Sequence, residues 1–227
     1  MFVVAIDGPA GSGKSTTAKR VAAELCFRHL DTGAMYRALT CLAIQKQIDS
    51  ANSAALVELA RASRISFASG DSGAQRVLIA GADVSEAIRT PEVSAGVSQV
   101  AAHSAVREAL VERQRELAIS ETGVVMEGRD IGTVVFPEAD VKVFLVASLE
   151  ERAKRRVKDF AANGVKTNVQ EQVDLIMRRD ASDSEREASP LIKADDAIEV
   201  DTTRMSIDEQ VSHIVRLSRE RMTERGA

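Results

Sequence analysis

The chain has 227 residues, of which 44% are hydrophobic and 28% charged; this suffices for one sizeable α/β domain with an insertion or a small lid but leaves little room for two large domains. The formal net charge of −4 argues against a protein that holds nucleic acid on a broad basic surface, because such binding depends on clustered cations that release counterions. The apolar start of the chain is too short for a signal peptide and no run approaches transmembrane length, so we expect a cytoplasmic protein with neither a membrane nor a nucleic acid as partner.

The cysteines and histidines predict neither a disulfide nor a metal cluster. Cys26 and Cys41 lie in apolar helical patterns, which favours two buried free thiols. His29, His103 and His213 are far apart in the sequence, and each is interpreted as a structural or surface residue.

The first predicted elements are a strand, a glycine-rich loop and a helix. Residues 1–6 (MFVVAI) are typical of a strand buried on both faces. The next residues have the spacing of a phosphate-binding loop, in which backbone N–H groups and the helix dipole hold a phosphate, a lysine reaches the β- and γ-phosphates and a hydroxyl binds Mg²⁺. We therefore predict Ser15 as the Mg²⁺ ligand and an ATP site formed by Gly8, Pro9, Ala10, Gly11, Ser12, Gly13, Lys14, Ser15 and Thr16.

Further strands alternate with helical patterns along the chain. Short apolar runs recur at residues 27–30, 124–126, 141–146 and 197–200. This alternation predicts an α/β fold with a parallel sheet and helices on both faces. Ligands bind at the carboxyl ends of such strands, so the polar segments 31–37 and 127–133 are expected to face the site.

One region interrupts the alternation. Short strand patterns at 64–67, 76–79 and 83–85 surround a predicted turn at Gly70–Gly73, which indicates a small antiparallel sheet inserted at about residues 62–90. A helical stretch from about 92 to 120, read as two helices, follows Pro91, and an amphipathic helix is predicted for Ser206–Arg225.

The arginines are unevenly placed. Six of them fall between residues 152 and 186: Arg152, Arg155, Arg156, Arg178, Arg179 and Arg186. Arg152 and Arg156 are four apart, so they share a helical face and could clamp a transferring phosphoryl group. Arg155 and Arg178 are interpreted as residues of a solvated helix face with Glu partners. Two basic helices around a flexible turn at 161–165 indicate a lid, which a kinase needs to keep ATP from water.

Several longer motifs resemble a known family. They are LDTGAMYR at Leu30–Arg37, SQVAAHSAVREAL at Ser98–Leu110, EGRDIGTVVFPEA at Glu127–Ala139, RRDASDSEREASPL at Arg178–Leu191 and ADDAIEVDTT at Ala194–Thr203. Together with the phosphate loop, they resemble the bacterial cytidylate kinases over nearly the whole chain.

The resemblance implies a P-loop nucleoside-monophosphate-kinase fold, with a five-stranded parallel sheet flanked by helices. It implies one kinase domain over 1–227, in which a core (1–61, 91–150 and 187–227) carries a small antiparallel monophosphate-binding insert (about 62–90) and a helical lid (about 151–186). The implied reaction is ATP + (d)CMP → ADP + (d)CDP with Mg²⁺.

Residue roles follow from the resemblance position by position. The resemblance places the acceptor phosphate on Arg37, Arg129 and Arg186, the sugar on Arg179 and Asp183, the base on Ser98, Arg107 and Asp130, and Thr32 near the acceptor. The catalytic cations Lys14, Arg152 and Arg156 are expected from the phosphate loop and from the shared helical face of the two arginines. At Glu127, where many relatives carry Asp, the carboxylate would orient a magnesium-bound water.

The base assignment is chemically consistent with cytosine. Asp130 can accept from the exocyclic amine while Arg107 donates to N3 or O2. Uracil has an oxygen in place of that amine, and a site built on polar partners discriminates against an analogue that leaves them unpaired.

Other functions remain open at this stage. A mixed UMP/CMP kinase is the nearest alternative, and another small-molecule P-loop kinase related to shikimate kinase is possible on fold grounds. A non-enzymatic nucleotide-binding switch is less favoured, because the sequence has no Asn-Lys-x-Asp segment to read guanine. A monomer is expected, since no obligate apolar interface is evident.

Overall fold

The computed structural model describes residues 1–69, 75–120, 122–162 and 164–226. Its internal contacts divide the chain into two compact units. The first consists of Met1–His29, Ser120–Arg186 and Pro190–Ala227, and the second of Leu30–Ile119 and Glu187–Ser189.

Strands and helices follow one another along the described residues, with a short 3₁₀ helix at Ala87–Arg89 and a π-helical turn at Ile131–Val135. In chain order the elements are β1 (Phe2–Asp7), α1 (Lys14–Leu25), β2 (Arg28–Asp31), α2 (Thr32–Gln45), α3 (Ser53–Ala62), β3 (Ile65–Ser69), β4 (Gln75–Ile79), β5 (Ala82–Asp83), α4 (Pro91–Ala102), α5 (Ser104–Ala118), β6 (Gly123–Gly128), β7 (Val141–Val146), α6 (Leu149–Ala162), α7 (Val169–Glu185), β8 (Ile198–Asp201) and α8 (Ile207–Gly226).

The first unit is organised by a parallel sheet in the order β2-β6-β1-β7-β8. β1 pairs in parallel with β6 and with β7, and β7 pairs in parallel with β8. The sheet confirms the predicted α/β fold, and each of its strands lies within two residues of the predicted run. The carboxyl ends of these parallel strands share one edge, where the loops after β1, β6 and β7 emerge.

The core of the first unit explains why β1 reads as a continuous apolar run. Every residue of β1 is buried, as expected for a strand covered on both faces. Val4 and Ile6 pack in one cluster with Val143 and Leu145 of β7 and with Ile214 of α8. This packing fixes the end of β1, from which the glycine-rich loop starts.

The second unit combines four helices with a small sheet. β3, β4 and β5 form an antiparallel sheet in that order, which confirms the predicted inserted strands. Its core joins residues of α2 to α5 and of this sheet, among them Leu39, Leu56, Ile65 and Leu110. The predicted turn at Gly70–Gly73 lies outside the described residues.

The helices largely follow the predictions. The stretch after Pro91 forms two helices, α4 and α5, separated at His103, and the carboxyl-terminal helix α8 is present. In the part of the chain that the structure describes, no helix is long and apolar enough to cross a membrane. The predicted turn at 161–165 includes Asn163, which is outside the described residues.

The predicted core, insert and lid are functional divisions, and they stay predictions. The insert at about 62–90 falls inside the second unit, and the lid at about 151–186 falls inside the first. The structure gives the second unit more chain than the insert alone, since α2, α3, α4 and α5 belong to it.

The two cysteines differ from one another. Both are free, and Cys41 is buried as predicted. The prediction for Cys26 is wrong, because this residue is exposed. It ends α1 in the left-handed region with φ 55°, a chain reversal at the surface where its side chain leaves the core.

Candidate active site

The glycine-rich loop connects the end of β1 to the start of α1. Gly8 has φ +145°, and a Cβ there would lie 2.1 Å from the carbonyl oxygen of Leu145. Gly13 caps α1 in the left-handed region with φ 94°. A side chain at Gly8 would collide with the backbone of β7, and one at Gly13 would be strained by the positive φ, so the path of the loop requires glycine at both positions. The first turn of a helix has N–H groups without intrahelical partners, so the start of α1 can bind a phosphate.

Lys14 is buried within this loop. Its Nζ donates to the carbonyl oxygen of Pro9 at 2.7 Å and lies 3.4 Å from Oγ of Ser12. Burial lowers the pKa of Lys14 well below its usual value, and the nearby charge of Arg129 lowers it further. Because an anion favours the charged form of an ammonium group, a bound phosphate would relieve this cost. The loop is therefore built for an anionic ligand.

Asp7 is a buried carboxylate at the end of β1 that the sequence reading missed. It accepts hydrogen bonds from the backbone N–H groups of Ile131 at 2.9 Å and Gly132 at 2.8 Å. Burial raises the pKa of Asp7 to about 6 even though these hydrogen bonds oppose the shift. The signal in the sequence was a lone carboxylate that ends an apolar strand directly before Gly8. Asp7 fixes the turn after β6 beside the phosphate loop.

Ser15 and Glu127 form the oxygen-rich part of the site. Oγ of Ser15 donates to Oε2 of Glu127 at 2.5 Å, and Oε1 of Glu127 lies 3.0 Å from Nε2 of His29. Hydroxyl and carboxylate oxygens suit Mg²⁺, which usually keeps several waters and takes its other ligands from substrate phosphates. Among the described residues there is no group of three or more His, Cys, Asp and Glu side chains that could hold a metal alone. The donor set thus fits a magnesium–nucleotide complex.

Arg152 brings helix α6 to the phosphate loop. Its side chain is buried, and Nη1 lies 3.3 Å from the carbonyl oxygen of Ala10 and 2.5 Å from Oδ2 of Asp180 on α7. Nε donates to the carbonyl oxygen of Ala147 at 3.1 Å. Arg156, four residues later, instead places its guanidinium over the ring of Phe160, 4.8 Å from the centroid. The predicted phosphoryl clamp therefore comprises one arginine fixed on the loop and one held on an aromatic ring.

Arg155 has the predicted Glu partner, but its contacts with Thr202 contradict the interpretation that it lies on a solvated helix face. Its Nη2 donates to the carbonyl oxygen of Thr202 at 2.7 Å, its Nη1 donates to Oγ1 of Thr202 at 3.1 Å, and its Nε pairs with Glu151 at 3.0 Å. The fully buried Thr202 also places Oγ1 3.0 Å from the carbonyl oxygen of Ser12. Helical periodicity from one segment could not show this contact, because Thr202 lies 47 residues away. Arg178, by contrast, is exposed on α7.

A second buried pair supports the loop from α8. Oγ1 of Thr17 donates to Oε1 of Gln210 at 2.8 Å, and neither residue is exposed. The same Gln210 oxygen would lie 3.2 Å from a Cβ at Gly13. Gln210 lies in the predicted closing helix, and no role is predicted for it from the sequence.

A second cationic cluster surrounds Asp183 in the same unit. Arg129 pairs with its carboxylate at 2.9 Å, and Arg186 and Arg179 lie 3.8 Å and 3.9 Å away. Burial raises the pKa of Asp183, but the arginines, Arg129 first, outweigh this effect and hold that pKa below its usual value. Three guanidinium groups on one carboxylate leave excess positive charge, which suits a second phosphate. The structure thus brings together the predicted residues Arg129, Arg179, Asp183 and Arg186.

The remaining predicted acceptor residues divide between the units. Asp130 is buried directly after β6 in the first unit. Thr32 and Arg37 belong to α2, Ser98 to α4 and Arg107 to α5, all in the second unit. Their joint use in one site stays a prediction.

Within the second unit, Arg107 is an unusual buried cation. Its guanidinium lies over the ring of Tyr36, 5.0 Å from the centroid, and Nη1 is 3.2 Å from the carbonyl oxygen of Ala101 near the end of α4. Buried arginines require such compensation. At the start of α2, Asp31 accepts from the backbone N–H of Ala34 at 3.0 Å, which caps the helix that carries Arg37.

Comparison with known proteins gives consistent results. The family model described as Cytidylate kinase matches residues 4–220. A protein named Cytidylate kinase from Bacillus licheniformis is 52% identical over 214 residues, which cover 94% of each chain. One from Bacillus cereus strain B4264 is 52% identical over 212 residues, 93% of each chain. The crystal structure of an uncharacterized protein from Eubacterium ventriosum matches with a TM-score of 0.51 at 12% identity, over 96% of this chain and 99% of the other, and shows likeness of fold alone.

Proposed function

Because the chain belongs to the cytidylate kinase family, we propose that it transfers the γ-phosphoryl group of ATP to CMP and dCMP, forming CDP and dCDP. The observation that carries this proposal is the pair of anion sites in one unit. The phosphate loop holds the buried Lys14, and the Asp183 cluster contributes Arg129 and Arg179, whose charges act on the pKa of Lys14. A phosphoryl donor and a phosphorylated acceptor both need such sites, whereas a simple ATP-binding module needs only one.

The donor site consists of the phosphate loop and its hydroxyl. Residues 8–16 would hold the phosphates of ATP, with Lys14 reaching the β- and γ-phosphates. Ser15 would ligate Mg²⁺, and Glu127 would orient the water around it. When bound, Mg²⁺ neutralises charge on the β- and γ-phosphates.

The acceptor site uses the residues that the family resemblance assigns. Arg37, Arg129 and Arg186 would hold the phosphate of CMP, Arg179 and Asp183 its sugar, and Ser98, Arg107 and Asp130 its base, with Thr32 nearby. Asp130 would accept from the cytosine amine, and Arg107 would donate to N3 or O2. Because Asp183 already pairs with arginines, a sugar hydroxyl would join an existing charged network.

Phosphoryl transfer needs no covalent enzyme intermediate. An oxygen of the acceptor phosphate attacks the γ-phosphorus in line as the bond to the ADP oxygen breaks, and the protein contributes position and charge. Lys14, Arg152 and Arg156 would stabilise negative charge on the transferring group. The lid would keep water from this group until the acceptor is bound. The enzyme would act as a cytoplasmic monomer without a nucleic-acid partner.

The decisive experiment measures ADP release with MgATP against CMP, dCMP, UMP, AMP, GMP, dTMP and shikimate, one acceptor at a time. We expect turnover with CMP and dCMP far above UMP. Asp130→Asn should raise KM for CMP and lower the ratio of CMP activity to UMP activity, since the amide N–H can donate a hydrogen bond to uracil O4. Equal wild-type rates on CMP and UMP would favour the mixed kinase, and an absence of acceptor-dependent ADP release would contradict the proposal.

A further inference from the structure

His29 is linked to the predicted magnesium ligand through one carboxylate. Nε2 of His29 lies 3.0 Å from Oε1 of Glu127, and Oε2 of Glu127 accepts from the hydroxyl of Ser15 at 2.5 Å. The side chains of His29 and Glu127 are only 15% and 4% exposed. The chain of contacts therefore runs from β2 through the end of β6 to the first turn of α1, all within the first unit.

The arrangement gives both carboxylate oxygens a defined partner. An ionised carboxylate only accepts hydrogen bonds, so Nε2 of His29 is the donor in this contact. Glu127 has a long side chain that loses rotamer freedom when it is held in one position. A donor on Oε1 restricts that freedom and thereby fixes Oε2, the atom that meets Ser15.

We propose that His29 is a positioning residue for the magnesium–nucleotide site: it holds Glu127 so that the carboxylate and the Ser15 hydroxyl are in place when MgATP binds. The proposal rests on the proposed function only in that the phosphate loop binds MgATP. Partners of this type, one shell removed from a metal, orient the groups that contact it. The role differs from the interpretation of His29 as a structural or surface residue, since packing alone would need no donor on Glu127.

The test measures binding without any acceptor. Calorimetric titration with a non-hydrolysable ATP analogue, repeated over a series of MgCl₂ concentrations and with EDTA, separates the metal-dependent part of the affinity from the rest. His29→Leu should raise the Mg²⁺ concentration at half-maximal effect by about tenfold and leave the affinity in EDTA within about twofold. His29→Gln, whose amide can still donate to Glu127, should restore most of the wild-type Mg²⁺ dependence.

Two controls separate positioning from stability. His213→Leu changes a half-buried histidine on α8 that contacts Arg216, and its Mg²⁺ dependence should match the wild type. In a Glu127→Gln background, His29→Leu should add little further change, because the group it positions no longer bears charge. If His29→Leu proves unstable, the same titration is made on His29→Phe, which keeps the ring volume and removes the donor, and it should show the same shift in Mg²⁺ dependence.

Each outcome has a definite meaning. An unchanged Mg²⁺ dependence in His29→Leu, or an equal loss of affinity with Mg²⁺ and with EDTA, would overturn the proposal. A shifted Mg²⁺ dependence in an enzyme that phosphorylates neither CMP nor dCMP would leave the role of His29 intact and contradict the acceptor assignment alone.

Discussion

Arg155 on α6 donates through Nη2 to the carbonyl oxygen of Thr202, just after β8, at a distance of 2.7 Å. The side chain of Thr202 in turn lies 3.0 Å from the carbonyl oxygen of Ser12 in the phosphate loop. One arginine of the predicted lid is therefore used to connect the lid helix, the last strand and the loop. Arg155 thus supports the loop indirectly, through Thr202, whereas Arg152 contacts the loop carbonyl of Ala10 itself.

We expect Arg155→Gln to lower the free energy of unfolding by about 1.5–3 kcal/mol, because charged hydrogen bonds to Thr202 are lost in a largely buried place. KM for ATP should rise, since the loop carbonyls lose support. Urea unfolding and steady-state kinetics measure the two effects. Arg178→Gln, which removes an exposed arginine of α7, is the matched control, and an Arg155 variant that behaves like it would show that the contacts with Thr202 contribute nothing.

Arg152→Gln and Arg156→Gln should differ in their effects on stability, although both should lower activity. Both variants should lose kcat, by about 10³-fold for Arg152 if it acts as an arginine finger in cis. Only Arg152→Gln should also lower stability clearly, by about 1.5–3 kcal/mol, because the partly buried carboxylate of Asp180 loses its charged hydrogen bond. Arg156→Gln loses a contact with Phe160, which is typically about 0.5–1 kcal/mol at a partly exposed site.

The double variant Arg152→Gln with Asp180→Asn tests the reason for that instability. Removal of both charges should recover most of the unfolding free energy while kcat stays low. If activity recovers together with stability, Arg152 has a structural role only, and its charge is not needed for phosphoryl transfer.

The sequence was sufficient for the sheet, because strand burial and glycine spacing are local signals. β1 is apolar at nearly every position and Gly8 directly follows its end, so the strand and the loop could be placed from neighbouring residues. Pro91 is a local signal of the same kind, since proline is favoured in the first turn of a helix, here α4. Cys26 was misplaced because an apolar pattern does not show where a helix ends in a left-handed residue.

The sequence predicted less of the site where its contacts join segments that are distant in the chain. The pairing of Arg129 with Asp183 spans 54 residues, and the motifs of the family, rather than any periodicity, supplied both positions. Thr202 lies in the motif Ala194–Thr203, but the motif assigns it no role, and Asp7 and Gln210 are likewise without an assigned role. Their roles follow from the fold, which brings them behind the phosphate loop only after the sheet has formed.

Lys14→Met should lower the activity of the protein and raise its stability. Burial lowers the pKa of the Lys14 ammonium well below its usual value, so the charged group costs free energy in the unliganded protein at neutral pH. We expect the variant to be more stable by about 1 kcal/mol, or about 2–4 °C in Tm. Its kcat should fall by at least about 10²-fold, since a charge on the transferring phosphate loses its partner.

Lys19→Met on the exposed face of the same helix is the control for a change of lysine to methionine in α1. It should leave kcat near the wild-type value. Wild-type turnover in Lys14→Met would contradict the assignment of the phosphate loop, and an unchanged Tm would show that the buried ammonium is compensated by the loop carbonyl of Pro9.

The buried carboxyl group of Asp7 should make a contribution to the free energy of unfolding that decreases as the pH rises. Burial raises its pKa from 3.8 to about 6 in the folded protein, so the folded state binds a proton more readily than the unfolded chain does. The contribution of Asp7 to stability is therefore fully present below about pH 4 and is lost as the pH rises through about 6. A shift of about two pKa units corresponds to a loss of about 3 kcal/mol.

Asp7→Asn isolates this effect, because the amide cannot ionise. The difference in unfolding free energy between the wild type and the variant, measured by urea unfolding from pH 4 to pH 8, should fall with rising pH and level off above about pH 7. Other paired carboxylates, Asp183 among them, lose their stabilising contribution as the pH falls, which is the opposite direction. This effect is the same in the wild type and in Asp7→Asn, so it cancels in the difference between them. NMR titration of ¹³C-labelled aspartate gives an independent value for Asp7. A flat difference across this range, with an Asp7 signal that titrates near 4, would show that the N–H groups of Ile131 and Gly132 fully offset the burial of its charge.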